Sequence, residues 1–129
     1  MDIHTITKKN ATCQDLLSCL YNLKPTDLHI FITVAQNPNS TLDQIATTVE
    51  RDRSSVHRCI AKLLSANLVT KETKTIKGGG YYHTYTITEP ERISAYARER
   101  VKEITGNLEI LIETFEGNLK KVLETTQPS

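Results

Sequence analysis

The chain has 129 residues, of which 38% are hydrophobic and 24% are charged, and its formal net charge is +1. This length suits one domain with a single core, and the composition is that of a globular protein rather than of a disordered or fibrous chain. No apolar run approaches the roughly 18 residues of a membrane span, and the first ten residues lack the layout of a signal peptide, so we expect a cytoplasmic protein with no membrane partner.

The first half of the chain predicts three short helices. "CQDLLSCLYNL" (13–23) has leucines on one side, and Pro25 suits the first turn of the next helix. The apolar residues of that second helix recur at a spacing of three and four, and the predicted buried stripe is Leu28, Phe31, Ile32 and Ala35. The turn "NPNS" (37–40) ends it, and Ser40 is the predicted N-cap of the helix "TLDQIATTVE".

The next helix carries the chemistry of a DNA reader. Asp52 is a good N-cap for "RSSVHRCIAKLLSAN", whose predicted buried side holds Val56, Ile60, Leu63 and Leu64. Arginine can form paired hydrogen bonds with guanine, serine can bond to bases or phosphates, and histidine can donate or accept. We therefore predict that helix 53–66 enters the major groove. The residues assigned to DNA contact are Arg53, Ser54, Ser55, His57 and Arg58, with Lys62 on one flank of the outward face.

Two β-forming segments, "LVTKETKT" and "YYHTYTIT", flank a run of three glycines. The glycines are expected at the tip of a hairpin, where positive φ is required and side chains would obstruct the approach of another backbone. A phosphate-binding NTPase loop would need Lys-Ser/Thr and a helix after the glycines, and neither follows. The sequence predicts a wing over residues 74–82 that contacts the DNA backbone or minor groove through Lys74, Lys77, Gly78, Gly79 and Gly80.

The positive charge is concentrated in the segment that contains this helix and the start of the wing. Residues 51–77 carry seven Lys and Arg against two acids, a net +5, whereas residues 1–50 carry −2 and residues 103–129 carry −3. A local excess of this kind suits a polyanionic partner, although chance clustering is the alternative.

The tail "EPERISAYARERVKEITGNLEILIETFEGNLKKVLE" predicts one long helix, with Pro90 in its first turn. A helix of roughly 30 residues is about 45 Å long, more than a core this small can cover. We predict that it pairs with a second copy, parallel or antiparallel, and the alternative is that it folds back on its own domain. The predicted dimer contacts are Val101, Ile104, Leu108, Leu111, Phe115 and Val122, which step by three and four residues except where Asn118 fills the seam.

Other kinds of site find little support. The three cysteines are odd in number and lack C-x-x-C spacing, which argues against a disulfide framework. No pair of histidines or cysteines has the spacing of metal ligands, and no catalytic constellation stands out. We expect no metal, no cofactor and no enzymatic activity.

These elements together predict a mainly α fold with a small β-hairpin (α+β), a winged helix-turn-helix with a long C-terminal dimerisation helix. The expected parts are an N-terminal segment with a short helix (1–23), the DNA-binding domain (24–88) and the C-terminal helix (89–125). "STLDQIATTVERDRSSVHRCIAKLLSANLV" resembles the helix–turn–recognition-helix core of TrmB-like and MarR-like regulators of archaea and bacteria, and "GGGYYHTYTIT" resembles their second wing strand. The resemblance covers about residues 20–89 and implies a dimeric, cytoplasmic transcription regulator. The sugar-sensing domain of long TrmB proteins has no counterpart here, so no small-molecule effector is assigned.

The favoured function is thus sequence-specific binding of double-stranded DNA by a homodimer. Two alternatives remain open at this point. One is a winged-helix module that docks protein within transcription or replication machinery, and the other is a chromatin-like DNA binder without base selectivity. The basic residues of helix and wing would support either kind of DNA binding, since groove binding uses both.

Overall fold

The computed structural model describes residues 3–126, so residues 1 and 2 of the predicted N-terminal segment lie outside it. Its elements are α1 (His4–Thr7), α2 (Cys13–Tyr21), α3 (Pro25–Gln36), α4 (Leu42–Val49), α5 (Arg53–Ser65), β1 (Val69–Thr75), β2 (Tyr81–Ile87) and α6 (Pro90–Thr126). The predicted fold class is confirmed: helices dominate, and β1 and β2 form one antiparallel hairpin. The chain divides into two compact units, Met1–Ser94 and Ala95–Ser129.

The core of the first unit lies where α3, α4 and α5 pack on one another and on the hairpin. Its most deeply buried side chains, each less than 2% exposed, are Ile30, Val34, Ile45, Val56, Ile60, Leu63 and Leu68. The predicted buried stripe of α5 is confirmed at three positions, while Leu64 is only half-buried.

The predicted buried stripe of α3 is wrong. The residues that α3 buries are Asp27, Ile30, Thr33 and Val34. The predicted residues Leu28, Phe31 and Ile32 are half-buried, and Ala35 is exposed. Because α3 carries apolar side chains on several sides, its periodicity alone does not select one face. The face that α3 buries carries Ile30 and Val34, each 0% exposed, and it also includes one acid.

The acid on the buried face of α3, Asp27, contacts Lys62. The Asp27 side chain is buried, and its Oδ2 accepts hydrogen bonds from the Lys24 backbone N–H at 2.9 Å and from Lys62 Nζ at 2.8 Å. The same ammonium group donates to the backbone carbonyl of Asn22 at 2.7 Å. Burial by itself raises the pKa of Asp27, but the hydrogen bonds from Lys62 and Lys24 outweigh it, so the pKa lies below 3.8. The carboxylate is therefore charged and ties the α2–α3 turn to α5.

This arrangement corrects the predicted position of Lys62 on the flank of the outward face. Its side chain is about one-third exposed (36%), but its ammonium group turns toward α2 and α3. A Lys62 contact with DNA would require this ion pair to break, which would leave the carboxylate of Asp27 buried without its cation.

The predicted cap of α4 shifts by one residue. Thr41 is the N-cap: its side chain accepts from the Gln44 backbone N–H, and Gln44 Oε1 accepts from the Thr41 N–H at 2.9 Å. Ser40 instead pairs with β2, because its carbonyl accepts from the Tyr85 N–H at 2.9 Å. A second bond follows, from the Asn39 N–H to Thr86 Oγ1 at 3.1 Å. The turn before α4 is thus fastened to the hairpin.

The hairpin is held at its base as well as along its strands. Its register pairs Val69 with Ile87 and Thr75 with Tyr81. Thr88 closes the base, since its N–H donates to the Leu68 carbonyl at 3.0 Å and its hydroxyl donates to the Asn67 carbonyl at 2.8 Å. Asn67, the second residue after α5, has the left-handed conformation that often ends a helix, with φ of 61°.

The predicted C-terminal helix is confirmed as α6, a single helix of 37 residues. At 1.5 Å per residue it extends for about 55 Å. Five of its six predicted dimer contacts are exposed in the single chain, from 41% at Val101 to 62% at Leu111, and Ile104 is half-buried. Within residues 3–126, no helix is both long enough and apolar enough to cross a membrane.

The Asp27–Lys62 contact predicts a specific loss of stability. We expect Lys62→Ala to lower the free energy of unfolding by about 2 kcal/mol, between the values for exposed and for fully buried ion pairs. Glu72→Ala is the matched control, because it removes a 3.1 Å ion pair with Lys74 whose side chains are 40% and 63% exposed. The control should change stability by no more than about 0.5 kcal/mol. Denaturant unfolding measures both, and equal losses would contradict the assignment.

The same contact predicts a pH dependence. The native pKa of Asp27 is lowered, so its contribution to stability is present above the ordinary value of 3.8 and is lost as the pH falls through the lower native value. We expect the free energy of unfolding of the wild type to fall more steeply below about pH 4 than that of Asp27→Asn, which cannot titrate there. Denaturant unfolding across that range gives both curves. Parallel curves would mean that folding does not lower the pKa of Asp27.

Candidate nucleic-acid interface

The start of α5 is organised by its cap. Asp52 accepts hydrogen bonds from the Ser55 backbone N–H at 3.1 Å and from the Ser55 hydroxyl at 2.6 Å. These bonds hold the pKa of Asp52 below its ordinary value. The Ser55 oxygen also accepts from Arg58 Nη2 at 3.2 Å. Ser55 was predicted to contact DNA directly, and here its hydroxyl connects the cap to Arg58 and positions the guanidinium.

Four of the predicted residues of α5 come together on its outer side. Arg53, Ser54, His57 and Arg58 are exposed and line a shallow depression of about 340 Å³ with Leu42. Arg53 Nε lies 3.5 Å from Asp43 Oδ1, and both side chains are mostly exposed, at 68% and 73%. An exposed pair of this kind is weak, so the arginine can exchange the carboxylate for a phosphate. Lys62 is absent from this cluster because of its contact with Asp27.

A second groove lies between α5, the start of α4 and the wing. Its volume is about 350 Å³, and its lining residues are Thr41, Leu42, Asp43, Arg53, His57, Tyr81, Tyr82, His83 and Tyr85. Sequence reasoning did not assign Tyr81, Tyr82 or His83 to the site. The Tyr81 and His83 rings are 5.5 Å apart at a tilt of 56°, and Thr73 Oγ1 lies 3.1 Å from His83 Nδ1. Strand alternation already placed Tyr81 and His83 on the same face as Tyr85, and that signal could have found them.

The wing tip has the backbone that its glycines predicted. Gly78, Gly79 and Gly80 have φ of 98°, 119° and 87°. A Cβ at Gly78 or Gly79 would have no neighbour within 4 Å, so the requirement there is for the dihedral angle and not for space. Two hydrogen bonds close the tip, from the Ile76 N–H to the Gly80 carbonyl and from the Gly79 N–H to the Ile76 carbonyl, both at 3.0 Å. The predicted hairpin tip is confirmed.

The two wing lysines differ in their surroundings. Lys77 is exposed at the tip, next to the glycines. Lys74 is half-buried on β1, where its ammonium lies 3.1 Å from Glu72 Oε1. The positive charge that is most accessible on the wing therefore belongs to Lys77.

The described residues include three cysteines, none of them in a disulfide. Cys13 is exposed, Cys19 is buried and Cys59 is half-buried, and all three are free thiols. Burial, together with the neighbouring Asp27 carboxylate, raises the pKa of Cys59 to about 11. Because the thiolate is the reactive form, Cys59 is a poor nucleophile at neutral pH. Residues 3–126 contain no group of His, Cys, Asp and Glu side chains that could hold a metal ion.

Comparison with known proteins identifies the family of this chain. Residues 17–91 match the family model described as the sugar-specific transcriptional regulator TrmB. A protein of Methanocaldococcus jannaschii that is described as uncharacterised is 30% identical over 118 residues, which make up 90% of this chain and 89% of that protein.

Solved structures show the same fold. A possible transcriptional regulator from Methanosarcina mazei Go1 has a TM-score of 0.70 and 21% identity, and the match covers 84% of this chain and 95% of that one. A MarR protein from Peptoclostridium difficile has a TM-score of 0.52 and 17% identity over 95% of this chain and 80% of its own. At these identities the likeness concerns the fold, and it confirms the predicted winged helix.

Proposed function

The chain belongs to the TrmB family of transcriptional regulators, and from this premise we propose that it binds double-stranded DNA with base selectivity as a homodimer. Its proposed activity is binding rather than catalysis. The observation that carries the proposal is the placement of the outer side of α5 beside a glycine-tipped wing, with one groove between them. A helix and a wing that face the same way can engage adjoining grooves of one duplex.

Base selectivity is assigned to Arg58 and Ser54. Both side chains are exposed on the side of α5 away from the buried Val56. The hydrogen bond that Arg58 Nη2 donates to the Ser55 hydroxyl oxygen fixes part of the guanidinium and leaves its other donors for the paired contacts that guanine accepts. A side chain that is held in place before binding loses less entropy on contact, which favours selective recognition.

Backbone contacts are assigned to the wing and to the first turn of α5. Lys77 stands at the tip, and Arg53 lines the groove between α5 and the wing. Lysine and arginine at such positions neutralise phosphates without regard to sequence. The bare backbone of Gly78–Gly80 lets the tip approach the duplex closely.

The dimer is assigned to α6. Leu108, Leu111 and Phe115 are between 53% and 62% exposed in the single chain, and they follow the three-and-four spacing of a helix seam. Apolar side chains in a row at this exposure are unusual for the surface of a monomer. The α6 helix of a second protomer carries the same apolar stripe, and pairing of the two helices would bury both stripes.

The first test of this proposal separates base reading from backbone contact. On a duplex selected from a random-sequence pool, Arg58→Ala should weaken binding by about 1–3 kcal/mol, and it should weaken binding to a scrambled duplex far less. Lys77→Ala should weaken binding to both duplexes by a similar factor. For the wild type we expect a slope of log affinity against log salt near −5, for about six neutralised phosphates. Lys77→Ala should make this slope shallower by about two units, because each protomer of the dimer loses one lysine.

Fluorescence anisotropy at several salt concentrations gives these values, and circular dichroism verifies folding. If Arg58→Ala loses equal affinity for the two duplexes, Arg58 does not contribute to base selectivity. That result would favour the DNA binder without base selectivity. A salt slope near zero for the wild type would favour the protein-docking alternative.

The second test concerns the dimer. Leu108→Asp should convert the protein to monomers at micromolar concentration, because a charge in the seam must be desolvated on pairing. Ile110→Asp is the matched control: Ile110 is 63% exposed on the same helix but lies off the three-and-four progression. Sedimentation equilibrium of the three proteins measures the outcome. The assignment fails if the wild type is a monomer, or if both variants dissociate equally.

A further inference from the structure

We propose that Ile76 is an apolar wedge, which the wing inserts between base pairs from the minor groove so that the protein bends the DNA it binds. This inference rests on the proposed DNA-binding function and adds to it a second form of recognition. A site would be selected for how easily it bends at the point of insertion, as well as for its base edges.

The position of Ile76 is the first observation. Ile76 directly follows β1, at the end of the hairpin that projects from the core, and its side chain is 50% exposed. A single exposed isoleucine is ordinary on a protein surface. This isoleucine differs because it stands next to Lys77 and the glycine tip, which are the wing residues assigned to DNA.

The second observation is that the backbone of Ile76 is fixed. Its N–H donates to the Gly80 carbonyl and its own carbonyl accepts from the Gly79 N–H, each at 3.0 Å. Both of its backbone polar groups are therefore used across the tip. The side chain leans over the turn, since its Cδ1 lies 3.8 Å from where a Cβ of Gly80 would be. The backbone that carries the apolar group is fixed before DNA arrives, which limits the entropy lost on insertion.

The third observation is the shape and charge around the side chain. Gly78, Gly79 and Gly80 lie in the same tip and have no side chains. The part of the tip that they form has the cross-section of bare backbone. The minor groove is about 6 Å wide and admits only such narrow elements. Proteins that bend DNA from this groove combine basic side chains with an inserted Ile, Leu, Phe, Met or Pro. Ile76 and Lys77 supply that pair in adjacent positions.

Two tyrosines extend the surface behind the wedge. Tyr81 is 68% exposed and pairs across the hairpin with Thr75, and Tyr82 is 44% exposed and pairs with Lys74. An amphipathic ring at this height can lie against a deoxyribose and keep water from the opened step. The exposed apolar surface of the wing thus consists of Ile76 and the two tyrosine rings that follow the glycine tip.

The test is a measurement of DNA bending. Duplexes selected by the wild type from a random-sequence pool, labelled with a donor and an acceptor dye at their ends, report the end-to-end distance by energy transfer. We expect the wild type to bend them by at least about 20°. Ile76→Ala and Ile76→Gln should lose most of this bend while still binding, and Ile76→Leu should keep it. Lys77→Ala should weaken binding but leave the bend of the bound DNA unchanged.

A second measurement locates the insertion. With 2-aminopurine placed at successive positions, the wild type should raise fluorescence at the step that the wing opens, and Ile76→Ala should not. A single mismatch at that step removes part of the unstacking cost in advance, so the wild type should bind the mismatched duplex about tenfold more tightly than the matched one. Ile76→Ala should show no preference between the two.

The outcomes separate the wedge from the proposed function. If the wild type binds selected duplexes without bending them, or if Ile76→Ala bends them equally, the wedge is refuted and the DNA-binding proposal stands. If the wild type binds no duplex from the pool, both fail, and the exposed apolar tip belongs to a protein contact. Ile76 is half exposed, so its substitution should leave the circular dichroism spectrum intact.

Discussion

A buried carboxylate that requires a cation fastens α5 to the turn between α2 and α3. Asp27 is 4% exposed, and without Lys62 its charge would remain in the interior with hydrogen bonds only from the Lys24 backbone N–H and the Cys59 thiol. Lys62 supplies that cation and donates hydrogen bonds of 2.8 Å to Asp27 and 2.7 Å to the Asn22 carbonyl. These bonds act together with the apolar packing of α5, whose residues Val56, Ile60 and Leu63 are at most 1% exposed. The loss of one partner of such a pair is the costly change, because it leaves a buried charge without its counter-ion.

The wing is positioned by hydrogen bonds between β2 and the turn before α4, which are distant along the chain. The Ser40 carbonyl and the Asn39 N–H hold β2 through Tyr85 and Thr86, and the hairpin thereby borders α4 as well as α5. The groove between helix and wing has walls from three elements that are bonded or packed together. The groove thereby brings together one arginine, two histidines and the tyrosines of β2 from segments that are far apart along the chain.

Local signals made α5 and the hairpin predictable, and non-local ones made α3 and the α4 cap difficult. Asp52 and the stripe from Val56 to Leu63 lie within one segment, so a sequence window contains all that specifies the helix. The buried face of α3, by contrast, includes Asp27, whose partner Lys62 lies 35 residues away and is outside any local sequence window. Ser40 looks like a cap until its pairing with β2 is known. Within the site, the position of Arg58 was predictable, whereas the inward turn of Lys62 was not, because a helical wheel has no information on where a flexible side chain ends.

The glycine tip has a consequence that concerns handedness. All three residues have φ values that are comfortable for amino acids of the opposite chirality, and at Gly78 and Gly79 nothing would obstruct a side chain. Ribosomal synthesis incorporates no D-amino acids, and glycine, which is achiral, is the coded residue that adopts these φ values without strain. Glycine is a flexible substitute for such residues, because three successive glycines give the unfolded hairpin more conformations than any other tripeptide would. The tip is thus well defined when folded and maximally disordered when not, so the achiral stretch that lets the wing come close to another molecule also makes the folding of the wing entropically expensive.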